Sequence, residues 1–119
     1  MKAPANRSVY VVGYGAATPL GLTFEGTWRR AAAGASGLRR ITRCKVETRN
    51  DVVGEIPDWE PGSLDFVDRK EAYNWNADFV LLTMAVCREA LAHAGLVMDA
   101  EIGPRTACLV GSALNGTDA

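Results

Sequence analysis

The segment at residues 8–21 constrains the fold of this chain more than any other part of the sequence. Residues 9–12 are a short apolar run rich in valine, and Gly13 and Gly15 close it. Such a run, bounded by glycines, is typical of a buried strand in a parallel sheet. Pro19 disfavours a helical conformation in the residue before it, so the chain has to turn before a helix begins. The segment therefore predicts a strand, a glycine loop and a turn.

A dinucleotide-binding loop is the first alternative for this segment. That motif needs a third glycine that opens directly into a helix, and an acidic residue about twenty positions further on. Here Thr18 takes the place of the third glycine, Pro19 follows it, and no acidic residue lies near position 33. A small nucleotide-binding α/β domain stays open as the weaker hypothesis.

Composition excludes several classes of protein. The 119 residues suffice for one domain with a modest core. Thirteen basic and fourteen acidic residues leave a net charge of −1, which indicates neither a nucleic-acid nor a membrane partner. No run of apolar residues is long enough to cross a bilayer, and the first residues contain no apolar signal sequence. We therefore expect a cytoplasmic location.

The thiols and the single histidine indicate no metal or cofactor site. Cys44, Cys87 and Cys108 are odd in number and lack metal-type spacing, so free thiols are expected. Cys108 lies in an apolar run, which predicts a buried and unreactive strand residue. His93 falls on the last turn of a predicted helix, where it complements the helix dipole rather than acting as a catalytic base.

Two helices are predicted from capping signals and apolar spacing. The first follows Thr23, a suitable N-cap, and ends at Gly34. The second spans residues 78–94 and ends on Gly95; its first half is apolar nearly all round, which predicts burial on more than one side. Two further strands are predicted at residues 52–56 and 107–110.

Four segments taken together resemble the β-ketoacyl-[acyl carrier protein] synthases. The first strand and loop of that family typically read V-x-G-x-G-x-x-T-P-L-G, as residues 11–21 do here. The resemblance continues, in order, through a T-x-E-x-x-W helix with a following Gly-x-Ser-Gly turn, a helix ending E-A-L-x-x-A-G-L, and a glycine-containing loop: residues 23–28, 34–37, 89–96 and 113–116.

The resemblance implies the N-terminal part of a thiolase-like α/β fold. Residues 1–119 would form a single partial domain with a mainly parallel sheet, two helices on one face, and the remainder of the fold missing. The family reaction is decarboxylative Claisen condensation in fatty acid or polyketide synthesis, catalysed by an acyltransferase with a nucleophilic cysteine and two histidines. The segments that carry those residues in the family lie beyond this sequence, so we expect the chain alone to be inactive, with no catalytic residue and no cofactor or metal.

Site residues and partners follow from the same resemblance. Ala113 and Leu114 match a family loop whose bulky residue lines the acyl pocket, which makes them the candidate substrate-binding residues. Arg69 and Lys70 belong to a match with a family K-E-A stretch, which in the family is followed by two basic residues that meet the acidic surface of the acyl carrier protein. In their place this chain has residues 73–76, Tyr-Asn-Trp-Asn. For Arg69 and Lys70 themselves, a docking role and a solvated surface both stay open. The implied partners are an acyl carrier protein and a synthase subunit or a second copy of the chain.

A non-catalytic partner or scaffold that completes another synthase chain is the main alternative. Parallel sheets need both faces covered, and the two predicted helices cover only one. We therefore expect an isolated chain to leave apolar strand residues in water, and to aggregate, to unfold in part, or to bind a partner.

Overall fold

A computed structural model describes residues 8–45, 47, 49–56, 59 and 78–111 of the chain. Within these residues the order of elements is helix α1, two short strands, helix α2 and a 3-10 turn. The bounds are Phe24–Ala32 for α1, Arg39–Arg40 for β1, Val52–Val53 for β2, Asp78–Ala94 for α2 and Gly103–Arg105 for the 3-10 turn.

Helix α1 begins and ends at its capping residues. The Thr23 side chain accepts a hydrogen bond from the Gly26 N–H at 3.1 Å, which satisfies one of the unpaired donors of the first turn. Gly34 follows the helix with φ of 73°, and the Ala35 N–H donates to the Arg30 carbonyl at 2.9 Å. The predicted start and end of this helix are confirmed.

Helix α2 is also confirmed, and Gly95 terminates it with φ of 65°. Burial of its first half is less complete than predicted. Leu81 is the one fully buried apolar side chain in the described part of the chain, whereas Phe79 is 41% exposed and Met84 38% exposed. Because residues 80–83, nearly one full turn, are all buried or half-buried, burial on more than one side of α2 is confirmed in part.

The predicted parallel sheet does not form among the described residues. Residues 9–12 and 107–110 form neither helix nor strand, and Val9 and Leu109 are each 94% exposed. The pairing observed is antiparallel, with Arg39 opposite Val53 and Arg40 opposite Val52. Of the strand predicted at residues 52–56, two residues are confirmed. β-Branched composition favours an extended chain, but a ladder also needs a partner, and composition does not specify one.

The prediction that Cys108 is buried is also wrong, because the thiol is exposed. Its burial depended on neighbouring strands on both sides, and the segment that carries Cys108 has no strand partner among the described residues. Among all the residues that the structure describes, no helix is both long enough and apolar enough to cross a membrane.

Candidate functional site

The glycine loop after residue 12 lies directly on the backbone of α2. A Cβ atom added at Gly13 would collide with the Ala90 carbonyl oxygen and lie 2.8 Å from the Cβ of Ala94. A Cβ atom at Gly15 would collide with the Val86 carbonyl oxygen. The two glycines are therefore required because a helix approaches the loop closely, which is one of the common reasons for glycine at a fixed position.

The Glu89 carboxylate joins the loop, α1 and α2. Its Oε2 accepts a hydrogen bond from the Ala16 N–H at 2.9 Å, and its Oε1 accepts one from the Phe24 N–H at 2.8 Å. Both bonds are partly buried. Because the acceptor is ionised, each bond is stronger than one between neutral groups, and the negative charge also lies favourably at the N-terminus of α1.

Two rings extend this contact along the same face of α2. The Tyr14 N–H donates to Nδ1 of His93 at 3.3 Å, and the centroids of the two rings are 4.0 Å apart. The Tyr14 ring also packs on Phe24 with a centroid distance of 4.2 Å. These side chains and Glu25 surround a pocket of about 170 Å3, and we call the set the Glu89 cluster: Tyr14, Phe24, Glu25, Glu89 and His93.

The turn that precedes α1 is stabilised by its own backbone hydrogen bonds and by packing against two neighbouring loops. The Thr18 N–H donates to the Gly21 carbonyl at 2.8 Å, and the Gly21 N–H donates to the Thr18 carbonyl at 3.0 Å. Pro19 packs so closely on two neighbouring loops that a Cβ atom at Gly37 would lie 2.7 Å from its Cβ, and one at Gly54 would lie 2.9 Å from its Cγ. The predicted turn between the first segment and α1 is confirmed.

Two carboxylates, the half-buried Glu55 and the exposed Asp99, have lowered pKa values. Backbone N–H donors of Arg43 and Thr42, at 3.0 and 2.9 Å, hold the pKa of Glu55 below its usual value. The N–H groups of Ile102 and Glu101 do the same for the pKa of Asp99. Hydrogen bonds to the charged form cause both shifts, and both carboxylates stabilise turns rather than forming a reactive pair.

The chemistry of the Glu89 cluster is that of a structural junction. Glu89 uses both oxygens to accept backbone hydrogen bonds, and His93 uses Nδ1 in the same way. No cysteine lines this pocket. Among the described residues, no group of three or more His, Cys, Asp or Glu side chains could hold a metal ion.

The structure brings some predicted residues together and leaves others outside its description. His93 lies in the Glu89 cluster, whereas Cys108 lines a different pocket, on the wall opposite α2. The acyl-pocket candidates Ala113 and Leu114, and the basic pair Arg69 and Lys70, lie outside the described residues.

Sequence reasoning missed Glu89 and Tyr14. A signal for Glu89 was present, because Glu89 and His93 are four residues apart and therefore share one face of a helix. The glycine pair at positions 13 and 15 indicated close approach of another backbone, and the helix it contacts carries that face.

Comparison with known proteins identifies relatives for nearly the whole chain. Residues 6–119 match the family model described as "Beta-ketoacyl synthase, N-terminal domain". A protein named 3-oxoacyl-[acyl-carrier-protein] synthase 2 from Staphylococcus aureus (strain COL) is 29% identical over 114 residues, which are 95% of this chain. The protein of the same name from Coxiella burnetii is 29% identical over 111 residues. The chain spans 27% of the length of the first relative and 26% of the second.

Proposed function

Because the chain belongs to the β-ketoacyl synthase family, whose N-terminal domain it matches over residues 6–119, we propose that it forms the N-terminal segment of an enzyme that extends acyl chains. The reaction would be decarboxylative Claisen condensation in fatty acid synthesis, as the relatives' names support, or in polyketide synthesis. An acyl thioester on a cysteine of the complete enzyme breaks its carbon–sulfur bond. A new carbon–carbon bond forms as the malonyl thioester loses CO2.

The described residues would hold the loop and the helices in place for this reaction and would supply no catalytic group. The Glu89 carboxylate joins the first loop to both helices. The observation that carries the proposal is that the residues of this loop follow the glycine and Thr-Pro-Leu-Gly pattern of the family whose N-terminal domain the chain matches. A cysteine nucleophile is commonly activated at a helix N-terminus. Cys87 lies within α2, and Cys44 and Cys108 lie in segments without helix. We therefore propose that residues 1–119 have no condensing activity alone.

The partners proposed are an acyl carrier protein and further synthase chain, either a distinct subunit or a second copy in a homodimer. Residues 9–12 and 107–110 would then pair as strands of a mainly parallel sheet, because neither run has a strand partner among the described residues. Ala113 and Leu114, which directly follow the second segment in sequence, would line the acyl pocket. The cytoplasm is the location proposed for this activity.

A non-catalytic scaffold is the second candidate function. The observation in its favour is the exposure of apolar residues in two separate segments, including Val9, Val11 and Leu109, at 94%, 86% and 94%. A chain that completes another synthase subunit would present such surfaces for that subunit to cover.

The nucleotide-binding alternative is disfavoured by the contacts at the start of α1. Phosphate groups bind helix N-termini through unpaired backbone N–H groups. Here the Phe24 N–H donates to Glu89, and the Gly26 N–H donates to Thr23. A carboxylate of the chain itself therefore occupies the position that a phosphate would need.

A chimeric synthase tests the proposed function. In the S. aureus relative, the matching 114 residues would be replaced by the corresponding residues of this chain, and CO2 release would be measured with acyl and malonyl carrier-protein thioesters. We expect condensation by the chimera and none by the chain alone. A Gly13→Ala chimera should lose activity because α2 leaves no room for the new Cβ, whereas Gly103→Ala, with open space around it, should not.

Two results would contradict the proposal. One is a chimera that has the relative's oligomeric state and far-ultraviolet circular dichroism but releases no CO2. The other, which would refute only the statement of inactivity, is turnover by the isolated 119 residues above a blank reaction. If that turnover were abolished by Cys108→Ala, the nucleophile would be Cys108.

A further inference from the structure

An apolar groove separates α2 from the segment that follows the 3-10 turn. Its volume is about 380 Å3, and none of the described residues that line it is charged. The helix contributes five residues and the segment two: Phe79, Val80, Thr83, Met84, Cys87, Cys108 and Val110. Two thiols that are 21 positions apart in sequence therefore line one small cavity from opposite walls.

The two thiols are the groups among the described lining residues that can form a covalent bond with each other. The Thr83 hydroxyl donates to the Phe79 carbonyl at 2.7 Å, so its hydrogen is already used within the helix. Cys87 and Cys108 are both free and exposed, which leaves them open to a small oxidant. An apolar groove without a cation favours a neutral product over an anionic one, and a disulfide between the two cysteines is neutral.

The segment that carries Cys108 can adjust its distance to α2. The last hydrogen bonds before this segment are those of Thr106, whose N–H donates to the Gly103 carbonyl and whose hydroxyl donates to the Ile102 carbonyl. Residues 107–111 form no backbone hydrogen bond with another described segment. The Cα atoms of a disulfide have to approach to about 4.4–6.8 Å. In the isolated chain, where residues 107–111 have no ladder partner among the described segments, the segment can reach that separation without breaking a sheet.

We propose that Cys87 and Cys108 form a redox-sensitive dithiol that closes to an intramolecular disulfide. With hydrogen peroxide as the oxidant, one thiolate attacks a peroxide oxygen, breaks the O–O bond and forms a sulfenic acid, and the released hydroxide takes up a proton to leave as water. The second thiol displaces a second water as the S–S bond forms. Two thiols and one H2O2 thus give one disulfide and two H2O. The bridge fastens residues 106–111 to α2.

Peptide mapping of the full chain after peroxide treatment tests the proposal. Trypsin separates the three cysteines into different peptides, which are residues 44–45, 71–88 and 106–119. We expect a product without intermolecular disulfides, each chain lighter by two hydrogen atoms, in which peptides 71–88 and 106–119 are joined and peptide 44–45 is free. Reduction with dithiothreitol should restore the original mass.

Matched variants show whether the groove is responsible. Cys87→Ser and Cys108→Ser should abolish the intramolecular bridge, whereas Cys44→Ser should not, because Cys44 lines a different cavity with Lys45 and Glu47. Closure in the native chain should be at least about tenfold faster than in concentrated urea, since the fold raises the effective concentration of one thiol around the other.

Three outcomes would overturn the proposal. The first is a bridge that involves Cys44 as often as the other two cysteines. The second is equal closure rates in native buffer and in urea. The third is alkylation of both Cys87 and Cys108 by iodoacetamide in the native chain, together with no bridge on oxidation, because both thiols would then be accessible but too far apart.

Discussion

Replacement of Glu89 by alanine should loosen the junction of the first loop with both helices. The change removes the acceptor of two partly buried hydrogen bonds, from the N–H groups of Ala16 and Phe24. A hydrogen bond to a charged group contributes about 1.5–3 kcal/mol, and water can replace part of it at a site that is not fully buried. We therefore expect a loss of about 2–3 kcal/mol for the pair.

Hydrogen exchange at individual amides is the appropriate assay, because it measures local opening. A loss of about 2–3 kcal/mol corresponds to about 30- to 150-fold faster exchange at Ala16 and Phe24. Glu89→Gln should expose only one of these amides, since a carboxamide keeps a single acceptor oxygen. Glu101→Gln is the matched control, because the Glu101 side chain makes no hydrogen bond or ion pair with the described residues.

Unchanged exchange at both amides in Glu89→Ala would refute this reasoning, provided that the control variant and the wild-type chain agree. Equal acceleration at every amide of the chain would refute it as well, because the effect would then be global unfolding rather than loss of two bonds. The Thr106 amide, which donates to the Gly103 carbonyl, serves as the internal reference for that distinction.

Three further predictions concern single positions. Gly13→Ala should cost about 1–3 kcal/mol in urea unfolding because α2 already occupies the space, whereas Gly103→Ala should change stability little. Thr23→Ala should lower the helicity of α1 at a cost of about 1 kcal/mol, and Thr23→Ser should not. The contribution of Glu55 to the free energy of unfolding should be complete above the unfolded pKa of a glutamate, about 4.3, and should be lost as the pH falls through the lowered pKa of Glu55 in the folded chain. Amide shifts of Thr42 should follow that titration, and Glu55→Gln should remove it.

The helices could be predicted because their signals are local. The Thr23 cap, the left-handed Gly34 and the left-handed Gly95 each act within one turn of the helix end that they define. Every residue needed to recognise such a cap lies within about five positions of it in the sequence. The predicted ends of α1 and α2 were correct for that reason.

The sheet and the Glu89 cluster depend on contacts between distant residues. Glu89 is 73 positions from Ala16 and 65 from Phe24, so no local pattern identifies its partners. Segments 9–12 and 107–110 have strong β-propensity, but strand pairing and burial depend on which chain lies beside them. For Cys108 this dependence made both the predicted strand and the predicted burial wrong.

The exposed apolar residues of segments 9–12 and 107–110 support a final prediction, which concerns self-association of the chain. Six large apolar residues in these segments are between 63% and 94% exposed: Val9, Tyr10, Val11, Val12, Leu109 and Val110. If each loses about 100 Å2 of apolar surface to a partner, the gain at ~25 cal/mol per Å2 is about 15 kcal/mol. Association costs about 4–15 kcal/mol in lost translational and rotational freedom. Because the gain reaches or exceeds the cost, we expect concentration-dependent oligomers or aggregates of the isolated chain.

Sedimentation velocity over a range of protein concentrations measures this association, and thermal unfolding reports whether the chain closes a core alone. Val11→Lys combined with Leu109→Lys should shift the population toward monomer without loss of helix, since neither side chain is buried. Leu38→Lys, at a residue that is 66% exposed outside both segments, should leave the oligomers unchanged. A monodisperse wild-type monomer with one sharp unfolding transition would contradict the prediction. It would mean that the apolar segments are covered within a single chain, and it would remove the support for a scaffold that another synthase subunit covers.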